Sequence, residues 1–177
     1  NEEKLTALLN DTKKMGLDLF LLDDGWFANK YPRNNDRAGL GDWQENKTKL
    51  PNGVGFLVKE AEKRAVKFGI WIEPEMVNPD SELYRAHPDW ALGVASRPAV
   101  TARNQLVLDM QRADVRDYLF DCMAALLREL PIGYLKWDHN RDLIAAGERA
   151  AYREQVLGTY ALMARLRAEF PDVELEH

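Results

Sequence analysis

Short apolar runs that end in carboxylates recur along this chain, and a helix-like segment follows nearly every one. Leu19-Phe20-Leu21-Leu22 runs into Asp23-Asp24-Gly25-Trp26, and Gly69-Ile70-Trp71-Ile72 into Glu73-Pro74-Glu75. Leu106-Val107-Leu108 reaches Asp109, Tyr134-Leu135-Lys136-Trp137 reaches Asp138, and Val173 and Leu175 alternate with Glu174 and Glu176. Near-continuous apolar runs are what a parallel sheet covered on both faces requires. Strand and helix in alternation give such a sheet right-handed crossovers. In α/β barrels the catalytic groups sit at the C-terminal ends of the strands, so acids at successive strand ends would face one pocket.

The spacing of apolar residues predicts the elements between these ends. A helix over 2–16 carries Leu5, Leu8, Leu9 and Met15, with Asn1 as its N-cap and Gly16 as its stop. Pro51 opens a second helix through Phe56, Leu57, Ala61 and Val66. A third spans 113–130 with Val115, Leu119, Met123, Leu126, Leu127 and Leu130 inward, and a fourth spans 145–169 with Tyr152, Val156, Tyr160, Met163 and Leu166. Strands are expected at 18–23, 69–74, 105–110 and 134–138. Long connections at 28–50 and 76–104, the second with a short helical stretch at Ser81–Ala86, have the length of binding loops. No Gly-rich phosphate loop follows the first strand. Asp23-Asp24-Gly25 puts negative charge where a dinucleotide fold needs backbone amides. The expected fold is therefore a partial parallel (β/α)8 TIM-type barrel, since a full one needs about 250 residues and this chain has 177.

Composition narrows the partners. A hydrophobic content of 46% suits one globular domain, and a net charge of −5, without a basic stripe, argues against nucleic acid. No apolar run has the length of a membrane span and no signal peptide opens the chain, so a cytoplasmic location is expected. Cys122, the single cysteine, lies among Phe120, Met123 and Leu126 and reads as a buried structural thiol. Three histidines without metal-binding spacing lead us to expect no metal and no cofactor. Both ends read as cut inside the fold. Leu175-Glu176-His177 reads equally as native strand or as the start of a histidine tag, which leaves Glu174 as the last secure acid.

The candidate chemistry centres on Tyr134-Leu135-Lys136-Trp137-Asp138-His139-Asn140-Arg141. Residues two apart on a strand share a face, so Lys136 and Asp138 project together while Leu135 and Trp137 pack the other way. A cation beside a carboxylate keeps it ionised, which suits a nucleophile; the plain alternative is a structural ion pair. Glu73 and Glu75 could pass for a second catalytic carboxylate or, like Asp109, for a structural support, and Trp26 and Trp43 read as loop anchors or as flat binding platforms. His87 reads as a loop cap, and His139 stands one residue off the face of Asp138.

The motifs LFLLDDGWF, GDWQENKTKLPNG, FGIWIEPEMVNPDSELYRAHPDWAL, RNQLVLDM and YLKWDHNR, in this order, resemble the catalytic barrel of the family 36 α-galactosidases. The resemblance runs from about residue 1 to residue 145. It implies a retaining glycosidase acting on terminal α-linked galactose of melibiose- or raffinose-type oligosaccharides, and a homo-oligomer in the full-length enzyme. It implies Asp138 as nucleophile, Asp23 and Asp24 as acceptors of galactose hydroxyls, and Trp71, Arg103, Lys136 and Asn140 as further sugar contacts. A retaining enzyme needs a second carboxyl group about 5–5.5 Å from the first. In the family that acid follows a later strand, so the general acid and the opening strand are expected to lie outside residues 1–177. His139 stands where family members often have methionine, Ala102 where they have glycine, and the loop from Ala28 to Ala38 is longer than usual; these departures bear on substrate preference. Two other readings stay open at this point. One is a magnesium-dependent enolase-type lyase or isomerase with Lys136 as base. The other is a non-catalytic sugar-binding module.

Overall fold

The computed structural model describes residues 1–94, 96–143 and 151–177. In chain order its elements are α1 (Glu2–Lys14), β1 (Leu19–Leu22), α2 (Val54–Glu62), β2 (Lys67–Ile72), β3 (Met76–Val77), α3 (Glu82–Ala86), β4 (Leu106–Val107), α4 (Ala113–Glu129), β5 (Tyr134–Trp137), α5 (Ala151–Glu169) and β6 (Glu174–Glu176). A 3₁₀ turn covers Pro88–Trp90. Strands β1, β2, β5 and β6 pair side by side in that order, all parallel. This is the parallel α/β architecture expected of a partial barrel.

One expected strand moves out of the sheet. The run at 105–110 shortens to β4, which pairs antiparallel with β3 in a separate two-stranded sheet. The long connection after β2 folds back on itself, so Leu106 and Val107 find partners there. The parallel sheet therefore has four strands among the described residues. Asp109 leaves the site with β4: its N–H donates to the Trp90 carbonyl at 2.7 Å and its Oδ1 accepts the Gln111 N–H at 3.1 Å.

Sequence signals set the ends of the first helices. Asn1 caps α1, its Oδ1 accepting the Lys4 N–H at 3.1 Å. Gly16, at φ +73°, ends it: the Gly16 N–H bonds Lys13 O and the Leu17 N–H bonds Thr12 O, both at 3.1 Å. That pairing satisfies two of the last carbonyls, and a left-handed residue is required between them. Pro51, expected to open α2, sits in a turn instead. Gly53 is the N-cap and the Glu45 carboxylate supplies the acceptor, taking the Val54 N–H at 3.0 Å.

The register sorts the sheet residues into two faces. Leu21, Gly69 and Tyr134 lie in one row and Trp71 and Lys136 in the next on the same face. Leu22, Ile70 and Leu135 alternate to the helix side, where Leu127, Leu166 and Phe170 surround Leu135. Leu135, 2% exposed, is thus covered by helices of this chain.

Helix α5 is turned relative to expectation. Tyr152, Val156 and Tyr160 are 57%, 47% and 58% exposed, while Gln155, Gly158, Thr159, Leu162 and Leu166 face inward. The buried face carries small and polar residues because it docks on backbone. Gln155 accepts the Met110 N–H at 2.9 Å and donates to Leu108 O at 2.8 Å, and Thr159 donates to Glu75 Oε2 at 2.7 Å. Among the described residues no helix is long and apolar enough to cross a membrane.

Gly158 marks the closest approach, since a Cβ there would stand 2.0 Å from Met110 O. Glycine to alanine inside a helix ordinarily gains up to about 1 kcal/mol. Here the sign reverses. Gly158→Ala is expected to destabilise by at least about 2–3 kcal/mol through overpacking, read as a lowered urea midpoint.

Candidate active site

The C-terminal ends of β1, β2 and β5 bring the candidate residues together. β5 ends when the Asp138 N–H donates to Ile72 O of β2 at 2.8 Å. The Asp138 side chain then receives three donors. Oδ2 accepts the Trp71 indole N–H at 3.0 Å and the Asn140 amide at 2.5 Å, and Oδ1 accepts the His139 N–H at 3.0 Å. Partial burial pushes the Asp138 carboxyl up, but these donors and the Lys136 charge outweigh it and hold the group below the ordinary carboxylate range. It is an ionised, oriented carboxylate. Lys136 Nζ lies 3.8 Å from Asp23 Oδ2, so one ammonium serves acids from two strands.

The two glutamates beyond β2 are buried and engaged. Glu73, 1% exposed, accepts the Asn140 N–H at 2.8 Å and the Gln105 amide at 3.0 Å. Its carboxyl is pushed up by burial, and the Asp138 charge adds to this against the donors. Glu75, 4% exposed, takes the Trp137 indole N–H at 3.1 Å, Thr159 Oγ1 at 2.7 Å and His139 Nδ1 at 3.3 Å. Burial raises this carboxyl too, yet His139, Thr159 and Trp137 together bring it below its ordinary value. The hydrogen bond to Glu75 in turn raises His139, with burial opposing. Trp137 packs away from Lys136 and Asp138, as the strand alternation requires.

Asp24 is held by Arg33, a residue the sequence reading passed over. Arg33 Nε lies 3.0 and 3.1 Å from the two Asp24 oxygens and Nη2 lies 3.0 Å from Oδ2. The Arg33 side chain is 3% exposed and that of Asp24 40%. Arg33 also donates to Asn78 Oδ1 at 3.2 Å. Asn78, fully buried, spends its whole amide on the two loops: Oδ1 takes Arg33 and the Leu40 N–H at 2.9 Å, while Nδ2 donates to Asp36 O at 3.0 Å and Asn104 O at 2.8 Å. The only hint of it in the sequence is an asparagine before Pro79, which looks like ordinary turn punctuation.

Arg103 and Asn104 form a two-residue turn between Ala102 and Gln105, with φ of +50° and +60°. Asparagine tolerates that region; arginine there is strained, as side chains held at functional sites often are. The exposed Arg103 lines an open cavity of about 610 Å³ with Ala102, His139, Asn140 and Arg141.

Trp71 is 3% exposed, its ring packed beside Phe27 and Trp43 with centroids 6.1 and 6.4 Å away, so its face is no open sugar platform. What it sends to the site is its N–H. Trp26 and Trp43 are loop anchors, 2% and 5% exposed, the Trp26 indole donating to Trp71 O at 2.9 Å. His87 stacks on Trp90 at 4.1 Å. Asn140, expected to touch sugar, spends its amide on Asp138.

The Melibiase family model matches residues 1–177. Alpha-galactosidase C of Emericella nidulans is 44% identical over 181 residues, covering 98% of this chain and 24% of that protein. Alpha-galactosidase AgaA of Geobacillus stearothermophilus is 44% identical over 184 residues, covering 99% and 25%. Among solved structures, a family 36 AgaA variant from that organism in complex with raffinose superposes with a TM-score of 0.93 at 43% identity, over 99% of this chain and 25% of that one. The chain belongs to the melibiase family, and it resembles the family 36 α-galactosidases throughout its length. It spans about a quarter of the length of the curated relatives it matches.

The two neighbouring aspartates should respond differently to substitution. Asp23 is 63% exposed in its side chain and Asp23→Asn is expected to leave stability within about 0.5 kcal/mol. Asp24→Asn strips a charge-assisted pair from a buried guanidinium, which costs about 1–3 kcal/mol. Thermal melts of the two variants beside galactose titrations check this: both should bind galactose weakly, and only Asp24→Asn should melt lower.

Proposed function

We propose that this chain supplies the nucleophile and part of the galactose-binding surface of a retaining α-galactosidase. The observation that carries the reading is the Asp138 carboxylate, kept ionised at a strand end with Lys136 beside it and three hydrogen-bond donors on it. Such a group is a nucleophile in waiting. Oδ2 accepts two of these donors and Oδ1 one, so Oδ1 is the oxygen assigned to attack the anomeric carbon. Attack breaks the bond to the leaving oxygen and forms a glycosyl ester that water then hydrolyses. Asp23 and Lys136 are assigned to sugar hydroxyls, Asp24 to the same through the lone pairs that Arg33 leaves open, and Arg103 to the rim.

Substrate class follows from the relatives. Structures of AgaA variants hold raffinose and stachyose, which supports raffinose-type α-galactosides here. The general acid is assigned to a later part of the barrel. Glu73, Glu75, Asp23 and Asp24 are each committed to partners within the site. Cytoplasmic location and homo-oligomeric assembly of the complete protein belong to the same proposal. The magnesium-enzyme alternative needs several acids converging on one ion. Here Glu73 and Glu75 turn to separate amides, indoles and hydroxyls, and among the described residues no three His, Cys, Asp or Glu side chains are placed to hold one metal ion. A sugar-binding role is what residues 1–177 alone would retain.

Two measurements follow. In the complete enzyme, Asp138→Ala should abolish turnover of aryl α-galactosides and regain part of it with azide, giving the inverted β-galactosyl azide; a product of retained configuration would contradict the assignment. Residues 1–177 in isolation should turn over slower than the complete enzyme by at least the roughly 10²–10⁴-fold that a positioned acid contributes. Light scattering should find them associated through the exposed α5 stripe; a monodisperse monomer with substantial turnover would overturn both expectations.

A further inference from the structure

The mechanism above gives no work to Glu73, although burying its carboxyl is costly. It is 1% exposed, and its partners are neutral amides rather than a cation. An apolar side chain would fill such a place at no electrostatic cost. We infer that Glu73 is a positioning residue for the nucleophile: acting through Asn140, it fixes where the Asp138 carboxylate points. This rests on the α-galactosidase reading and adds to it a residue that touches neither sugar nor reacting atom.

The geometry runs in three links. Gln105, 0% exposed, donates its amide to Glu73 Oε2 at 3.0 Å, while its backbone carbonyl accepts Arg141 Nη1 at 2.5 Å. Glu73 Oε1 accepts the Asn140 backbone N–H at 2.8 Å, which pins the loop after β5 to the end of β2. The Asn140 side chain then reaches Asp138 Oδ2 at 2.5 Å. From the opposite side the Trp71 indole N–H, also on β2, donates to the same oxygen at 3.0 Å. Oδ2 is therefore held between two donors that both refer to one strand, and Oδ1 is aimed by default. Release of Asn140 leaves Oδ2 with the Trp71 indole as its one remaining donor. The carboxylate form suits the task because it accepts on both oxygens at once, one from each loop. The upward push that burial gives this carboxyl is the cost of keeping it there.

The test uses the complete enzyme with an aryl α-galactoside, and galactose as a competitive inhibitor. Glu73→Met fills the space and offers no acceptor; Glu73→Gln keeps one oxygen for the Asn140 N–H. Misplacement of a reacting group by about 1 Å costs about 100-fold, so the methionine variant should lose about that much kcat. Its galactose inhibition constant should stay within about threefold, as expected when a transition-state interaction alone is lost. The glutamine variant should recover at least about tenfold of the loss. A glutamine variant as poor as the methionine one, a loss falling on galactose binding, or an unchanged kcat in Glu73→Met would each overturn the inference. Should Glu73→Met fail to fold by melting and gel filtration, Gln105→Met carries the test. It releases only Oε2 and should lower kcat about tenfold with galactose inhibition unchanged, and an unaltered kcat there would overturn the inference equally. Asp138→Ala run beside them separates the two readings: turnover surviving in that variant refutes the nucleophile assignment itself, whatever Glu73 does.

Discussion

The register between β2 and β5 is the constraint on which the site depends. Pairing Trp71 with Lys136 and Ile72 with Trp137 puts the indole N–H, the ammonium and the Asp138 carboxylate at one end of one face. Side chains alternate along a strand, so a slip of one residue would send Lys136 and Asp138 into the helix layer and turn Trp137 inward. The Ile72 carbonyl, which accepts the Asp138 N–H, fixes the last step. Gly69 permits the close packing beneath, since a Cβ there would stand 3.1 Å from that of Tyr134 and 3.2 Å from Leu21 Cδ1.

Five acids gather around this end, and each has its own means of staying. Asp23 has Lys136, Asp24 has Arg33, Glu73 has two amides, Glu75 has an indole, a hydroxyl and an imidazole, and Asp138 has three donors. A buried carboxylate without such partners would protonate or cost several kcal/mol. The arrangement sorts them by exposure. Asp23 and Asp24 reach solvent, where sugar hydroxyls would come, while Glu73 and Glu75 stay beneath and hold the loop that carries Asp138.

Much of the fold was legible because the signals were local. Asn1 and Gly16 mark the ends of α1 through their own backbone chemistry, and the alternation at Lys136-Trp137-Asp138 assigns faces without knowledge of neighbours. Where a partner distant in sequence decides, the reading goes astray. Leu106 and Val107 look like a barrel strand until β3 is known to pair with them. Helix α5 shows its large residues to solvent because Gln155, Gly158 and Thr159 are needed against backbone at Leu108, Met110 and Glu75. Arg33 lies in none of the recurring motifs, and Asn78 lies inside one without any local sign of its role. Their importance comes from burial, and burial of a polar side chain cannot be read from its own sequence neighbours. Which edge of the Trp71 ring is left to the site comes from the packing of Phe27 and Trp43, which no local signal shows.

The Asn78 amide has a consequence for motion. It satisfies groups in the connection after β1 and in the one after β2, and its own backbone N–H and carbonyl are taken by Leu40 O and the Ser81 hydroxyl. Neither loop can lift away without stranding buried donors of the other, so the two open as one unit or not at all. The Leu40 and Asn78 amide protons, which these bonds protect, would then exchange at a rate set by the same opening event. One buried side chain thereby ties the segment that carries Arg33, the partner of Asp24, to the segment that carries Asn104, the neighbour of Arg103.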